Sequence, residues 1–360
     1  MKHQKTVVVG LSGGVDSSVA ALLLKKQGYN VIGLFMQTFR EETKAKNPCK
    51  SNSAMTDEKM ARIIAKKLKI KFISKNYKKE YYDEVIKPMI QDYKKGLTPN
   101  PDISCNKIIK FPYLLREAEK LGADFIATGH YARIKKTKEG YHLFVGKDKT
   151  KDQSYFLCQL DQKTLGKTLF PLGSLTKEQV RKLAKKHDFP NWDKPGTTGI
   201  CFLGKTPDIK SFLEHKIKQK KGKIISPEGK ALGTHPGAAY FTIGQKIQDK
   251  LGLVISKPRE NAQKRYYITE KRKGNLIIAA PEGHPSLLKD KIVMKNLHLI
   301  VTKMKIPSVL HARIRHLGKF HFGTLKENVF TLKKPIEGIA PGQSIVLYNK
   351  EEIIGGGEIG

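Results

Sequence analysis

Val7-Val8-Val9 is followed at once by Gly10-Leu11-Ser12-Gly13-Gly14 and then by Val15-Asp16-Ser17-Ser18, and few folds accept that succession. Three β-branched apolar residues in a row predict a strand buried on both faces. The stretch Val15 to Lys26 predicts a helix, reached through a short Gly-Ser turn. A buried strand passing straight into a helix is the first half of a βαβ unit. The next residues keep the rhythm: Val31 to Met36 is apolar, Asp57 to Leu68 has helical periodicity and Phe72-Ile73-Ser74 predicts a short strand. Lys79 to Lys95 predicts a helix kinked at Pro88, Phe111 to Leu121 another helix, and Asp124 to Thr128 a strand. The expected first domain is therefore α/β, a parallel sheet with helices on both faces. Its ligands belong at the carboxyl ends of the strands, in the loops after Leu11, Met36 and Thr128.

Around residue 205 the pattern changes. A Lys-dense stretch, Lys216 to Lys223, leads into short apolar segments broken by Gly and Pro: Lys223 to Ser226, Ala239 to Ile243, Tyr266 to Thr269 and Leu276 to Ala279. From about Lys291, the segments Ile292 to Met294, Val309 to Ile314, Gly323 to Leu325, Val329 to Leu332 and Ser344 to Tyr348 recur at short intervals between turn residues, which predicts a small β-barrel or sandwich. The chain of 360 residues thus divides into expected domains at 1–205, 206–283 and 284–360.

Charge bears on the partner. The chain carries 68 Lys+Arg against 33 Asp+Glu, a net +35, and 58 of the basic residues are Lys. The excess is even, 40 basic to 20 acidic residues in 1–205 and 28 to 13 in 206–360, so there is no basic tail. Codon bias towards Lys would produce such a spread, yet a polyanion is still drawn to the surface by counterion release. No apolar run approaches the roughly 18 residues of a membrane span, and none resembles a signal peptide, so a cytoplasmic protein is expected. Cys49, Cys105, Cys158 and Cys201 form no CxxC pair of the kind that binds zinc.

The Gly-Ser turn suits phosphate. Gly13 and Gly14 let the backbone approach a ligand, and Ser12, Ser17 and the N–H groups at the helix start can hold phosphate oxygens. The Lys of a Walker A loop is missing, which disfavours a P-loop kinase or GTPase. The full SGGVDSS string instead resembles the PP-loop of ATP pyrophosphatases, which cut ATP between its α and β phosphates. Four further strings follow it: Thr98-Pro99-Asn100-Pro101-Asp102-Ile103-Ser104-Cys105-Asn106-Lys107, Ala127-Thr128-Gly129-His130-Tyr131-Ala132-Arg133, Lys151-Asp152-Gln153-Ser154-Tyr155-Phe156-Leu157 and Thr198-Gly199-Ile200-Cys201-Phe202-Leu203-Gly204. With Thr242-Ile243-Gly244-Gln245 and Pro341-Gly342-Gln343 they stand in the order seen in the tRNA-specific 2-thiouridylases, the MnmA/TrmU type, and the resemblance covers nearly the whole chain.

The resemblance implies a PP-loop (adenine nucleotide alpha hydrolase-like) domain, a small α+β central domain and a carboxyl-terminal β-barrel. It implies a transferase that adenylates the C2 oxygen of the wobble uridine of tRNA with ATP and Mg2+, then replaces that oxygen with sulfur from a cysteine persulfide. By similarity Cys201 carries the persulfide, Cys105 is the second catalytic thiol and Asp102 an acid/base near the target base. Gly10, Leu11, Ser12, Gly13, Gly14, Val15, Asp16 and Ser17 are the implied phosphate site, with Met36 and Gly129 at the nucleotide. Asn100, Pro101 and Asp102 are implied at the uridine, and His130, Lys151, Asp152, Gln153, Arg315, His316 and Gln343 at the rest of the tRNA. No metal ligand of the protein is implied. Expected partners are tRNAs for Lys, Glu and Gln and a sulfur donor, either a cysteine desulfurase or a relay carrier. Cys49 and Cys158 match no catalytic position. The chain departs from the family pattern at Pro195-Gly196-Thr197, where Lys-Asp-Ser is usual, and at Lys246 to Gly252. Competing readings are a 4-thiouridine or lysidine synthase-like enzyme and a non-catalytic RNA-binding relative.

Overall fold

The computed structural model describes residues 4–39, 53–196, 201–203, 209–218, 220–248, 251–255, 265–302 and 306–360. Its first sheet has the order β3-β2-β1-β4-β7, all parallel, built from β1 (Thr6–Gly10), β2 (Asn30–Gln37), β3 (Lys71–Asn76), β4 (Phe125–Ala127) and β7 (Thr168–Leu169). β1 lies at the centre, and its Val7, Val8 and Val9 are fully buried. Alternation along the strand sends Val7 and Val9 into one core and Val8 into the other. The first core is closed by α1 (Val15–Lys26), α2 (Ser53–Lys67) and α8 (Lys177–Lys186), the second by α6 (Phe111–Lys120) and part of the barrel. The predicted doubly covered sheet is what the chain forms.

The helix expected over 79–95 is three segments: α3 (Lys78–Tyr81), a π-helical stretch Tyr82–Ile86, and α4 (Lys87–Lys94). The same arrangement recurs where α5 (Pro101–Ser104) passes through a π stretch, Cys105–Lys110, into α6. Each π stretch ends just before a Pro in the next helix, Pro88 or Pro112. Proline has no N–H to donate, and its ring presses on the carbonyl four residues back. A widened turn relieves both problems without a break.

Beyond α9 (Ile209–Lys216), a second sheet of order β10-β9-β8-β12-β11 uses β8 (Gly222–Ile225), β9 (Ala231–His235), β10 (Val254–Ile255), β11 (Tyr266–Arg272) and β12 (Leu276–Pro281). The apolar segment Ala239 to Ile243 is not a strand. Ala238–Tyr240 forms a single 3-10 turn whose three residues are buried against the core containing Cys105.

The carboxyl-terminal barrel has six strands in the order β13-β16-β15-β14-β17-β18, closed by pairing of β13 with β18. They are β13 (Leu288–Leu299), β14 (Leu310–Arg313), β15 (His321–Lys326), β16 (Val329–Glu337), β17 (Ser344–Asn349) and β18 (Glu352–Ile359). The first domain joins it through a hairpin, β5 (Ala132–Lys136) and β6 (Tyr141–Val145). Leu143 and Phe144 of β6 pair with Ile353 and Glu352 of β18, so one eight-stranded sheet spans both domains. α7 (Gln162–Lys167) follows the hairpin and packs on it. Among the described residues no helix is long and apolar enough to cross a membrane.

Candidate nucleotide and RNA site

The loop between β1 and α1 sits at the carboxyl end of the central strand. Gly13 has φ of +75°, and a Cβ there would lie 2.2 Å from the carbonyl oxygen of Asp57, so the loop requires glycine twice over. No side chain caps α1 at Gly14. The serines instead bind the loop to itself. The Ser17 hydroxyl accepts the Ser12 N–H at 3.1 Å and donates to the Gly14 carbonyl at 3.1 Å, while Ser12 and Ser17 Oγ lie 3.2 Å apart. Helix N–H groups left without a side-chain acceptor, with the positive end of the helix dipole, form an anion cradle.

Other elements hold the cradle from outside. Asn191, 1% exposed, donates to the Gly13 carbonyl and to Ser18 Oγ, each at 3.1 Å. Lys194 reaches the Gly13 carbonyl at 3.4 Å and pairs with Asp57. Asp16 Oδ1 accepts from the Tyr131 hydroxyl at 2.8 Å and from Lys177 Nζ at 2.6 Å. Burial and the adjacent Asp16 carboxylate push the Tyr131 phenol well above its ordinary range, so it stays a donor. Gly129 lies against the start of α1: a Cβ on it would be 2.7 Å from the Ser17 nitrogen. Met36 is half-buried at the end of β2.

Asp102 and Cys105 stand beyond α4, in the helical connection between β3 and β4. Asn100 caps α5 by accepting the Ile103 N–H at 3.3 Å, and Pro101 occupies the first helical position. Asp102 is half-buried in the first turn. Three residues on, Cys105 is 4% exposed and opens the π stretch, so both project from one face of the helix. Asn106 ties this helix to the Phe156 carbonyl at 3.1 Å. Cys105 shares its apolar core with Phe202 and Leu203 of the short turn Cys201–Leu203, which brings the backbone of Cys201 beside the same core. The side chain of Cys201, residues 197–200, Gly204, Cys49 and residues 249–250 lie outside the described residues. Cys158 is buried beneath β18, and burial pushes its thiol up to about 12.

The remaining candidates line the seam between the first domain and the barrel. Lys151 is exposed, whereas Asp152 is 1% exposed. Its Oδ1 accepts the N–H groups of Gly146 and Ser154 at 3.0 and 3.2 Å, and its Oδ2 faces Arg313 at 3.6 Å. The Asp152 carboxylate therefore faces inward and shapes the turn rather than facing solvent. Gln153 Oε1 accepts the Tyr131 N–H at 3.2 Å. His316 donates from Nε2 to the Asp152 carbonyl at 2.7 Å, and its ring lies 4.3 Å from that of Phe156. Arg315 reaches the Gly338 carbonyl at 3.4 Å. Gln343 is half-buried in the loop that docks the Asn100 segment, where the Thr98 N–H donates to the Pro341 carbonyl at 2.8 Å. The Tyr155 hydroxyl donates to the Ser344 carbonyl at 2.8 Å. His130 packs against the rings of Phe111 and Phe170, which also touch each other, and shares a hydrogen bond with Thr128 Oγ1 at 2.6 Å.

One contact network thus runs from the phosphate loop through Asp16, Tyr131 and Gln153 to Asp152, Arg313 and the barrel. The sequence reading missed Lys177, Asn191, Lys194 and the role of Tyr131. Tyr131 stands within a quoted motif, but the partners of the other three are 137 to 181 positions away, and no local spacing signals such a contact.

A family model described as tRNA methyl transferase HUP domain matches residues 5–205. Models described as tRNA methyl transferase PRC-barrel domain and Aminomethyltransferase beta-barrel domain match 210–280 and 289–359. The tRNA-specific 2-thiouridylase MnmA of Lactiplantibacillus plantarum is 42% identical, covering 99% of this chain and 96% of the relative. The MnmA of Blochmanniella floridana is also 42% identical over the same shares, and MnmA 2 of Aliarcobacter butzleri is 39% identical over 100% and 99%. A 4-thiouridine synthetase solved with RNA and bound ATP is 20% identical with a TM-score of 0.37, covering 59% of this chain and 50% of that one, a likeness too distant to argue from.

Proposed function

The chain belongs to the tRNA-specific 2-thiouridylase family, and from that premise we propose that it converts the wobble uridine of tRNA to 2-thiouridine at the expense of ATP. The observation that supports this most is the network from the anion cradle through Asp16, Tyr131 and Gln153 to the adjoining Asp152 and to Arg313 of the barrel. The phosphate loop and the barrel are thereby held by one set of contacts. Relatives matched over their full length favour this reading over a 4-thiouridine or lysidine synthase.

In this reading Gly10 to Ser17 hold the triphosphate, while Met36 and Gly129 flank the adenosine. Asp16, the first-turn carboxylate, fits the oxygen donors that Mg2+ takes along with phosphate oxygens, and the ion would neutralise charge on the departing pyrophosphate. The uridine C2 oxygen, placed by Asn100, Pro101 and Asp102, attacks the α phosphorus; a P–O bond forms and pyrophosphate leaves. The terminal sulfur of a Cys201 persulfide then attacks C2, and AMP departs with the former C2 oxygen. Cys105 attacks the Cys201 sulfur, the S–S bond to the transferred sulfur breaks, and a Cys105–Cys201 disulfide remains for an external dithiol to reduce. Lys151, Gln153, Arg315, His316 and Gln343 orient the tRNA, with His130 beside them and Asp152 supporting the turn. A cytoplasmic persulfide-bearing protein, either a desulfurase or a relay carrier, supplies the sulfur.

Cys201→Ser is expected to accept no persulfide, and Cys105→Ser to accept it on Cys201 without delivering it. Wild-type protein after one turnover without reductant should yield a Cys105–Cys201 crosslinked peptide. Tryptic mass mapping reads all three. Persulfide on Cys49 or Cys158, or full activity in Cys105→Ser, overturns the two-thiol scheme.

A further inference from the structure

The outer face of the barrel carries an aromatic and basic groove that none of the assigned residues uses. It is lined by Phe320, His321, Phe322, Lys333, Lys334 and Ile336, from the turn before β15, from β15 itself and from β16. Outward positions on a barrel strand are ordinarily polar, yet Phe322 is 51% exposed and Phe320 37%. The rings are ordered by their neighbours. His311 of β14 pairs across the ladder with Phe322, its ring centroid 4.5 Å away, and lies 5.7 Å from Phe320. The Arg313 guanidinium stands 3.9 Å over the Phe320 ring, and the same Arg313 faces Asp152 of the tRNA seam. Arg313 thus links the groove to the site through the interior of the barrel. Two of its six lining residues are lysines and none is acidic, and Lys319 adjoins it.

From this geometry we infer that the groove takes an unpaired nucleotide of the bound tRNA outside the wobble position, its base stacked on Phe322 and its phosphates met by Lys333 and Lys334. Exposed π faces interleaved with ammonium groups match the two surfaces a single-stranded nucleotide presents. An acidic protein would satisfy the lysines but has no use for edge-supported rings, and a lipid surface needs a broader apolar band than two phenylalanines. The inference rests on the tRNA reading above and extends the RNA path across β14–β16.

The test measures tRNA binding to the full chain by fluorescence anisotropy across a salt series. Phe322→Ala should raise the Kd about tenfold, with Phe322→Trp restoring it. Lys333→Glu with Lys334→Glu should reduce the slope of log Kd against log salt by about two. Thermal unfolding confirms that each variant is folded, and because these side chains are exposed, the midpoints should match wild type. Unchanged tRNA affinity in both variants overturns the inference. So does a defect confined to transfer from a persulfide-bearing protein, or to binding of anionic vesicles, with tRNA affinity intact. Wild-type protein that makes no 2-thiouridine would instead overturn the parent reading, which keeps the two failures distinct.

Discussion

His130 shows how a residue of the site is tuned by its packing. Burial against Phe111 and Phe170, and then the nearby charge of Lys110, hold its pKa well below 6.5, so the folded ring is neutral at physiological pH. Below pH 6.5 the unfolded chain takes up a proton that folded His130 refuses, so the folded state loses stability as pH falls; above that value the contribution is constant. Thermal midpoints measured between pH 7.5 and 5.5 should fall less steeply for His130→Gln than for wild type, and equal slopes would contradict the neutral ring. At this scale, the sequence spoke through residue types that have one use. Gly13 was legible because only glycine permits its left-handed turn, whereas Gly129 was named through the family resemblance alone and its backbone laid on the start of α1 emerged only in the fold. The clamp of Asn191 and Lys194 on Gly13 was not, because an ordinary Asn and Lys gain their roles only when distant segments meet.

Among the elements, β18 is the longest of the strands the sequence concealed, which also include β5, β6, β7, β9 and β10. Glu352–Ile359 contains Gly355-Gly356-Gly357, a composition that argues for a loop, yet it closes the barrel against both β13 and β17. The glycines answer to space. A Cβ on Gly355 would be 2.0 Å from the His298 carbonyl, and one on Gly356 would be 2.8 Å from the Ile345 carbonyl and 2.9 Å from Cys158 Sγ. Gly356→Ala should therefore destabilise the protein by about 1–3 kcal/mol in urea unfolding, with Cys158→Ala in the same chain returning part of the loss. Additive losses in the double variant would place the strain elsewhere. Four strands of the parallel sheet, β1 to β4, were by contrast legible, most plainly where burial on both faces writes an uninterrupted apolar run such as Val7-Val8-Val9, whereas the two-residue edge strand β7 was not. The π stretch before Pro88 was read only as a kink, and the one before Pro112 was not read at all. A proline announces that the α pattern must yield but does not say whether it bends or widens.

At the scale of the molecule, the seam between the first domain and the barrel makes the site composite, and its least replaceable contact is internal. Asp152 and Arg313 face each other at 3.6 Å, with the carboxylate 1% exposed. Arg313→Ala would strand that buried charge and should cost about 3 kcal/mol in urea unfolding, because removing one partner leaves the other uncompensated. A loss below about 1 kcal/mol would show that the Gly146 and Ser154 N–H groups suffice. The three-part organisation could be read from changes in periodicity along the chain. That β6 extends the barrel sheet could not, because pairing between Leu143 and Ile353 leaves no local trace at either position. The central claim is that this composite site uses ATP to place sulfur at C2 of a wobble uridine. Mass analysis of nucleosides from tRNA incubated with the protein, ATP, Mg2+ and a persulfide donor tests it directly. The account predicts 2-thiouridine at the wobble position with AMP and pyrophosphate formed in step; 4-thiouridine, lysidine, or ADP with phosphate would contradict it.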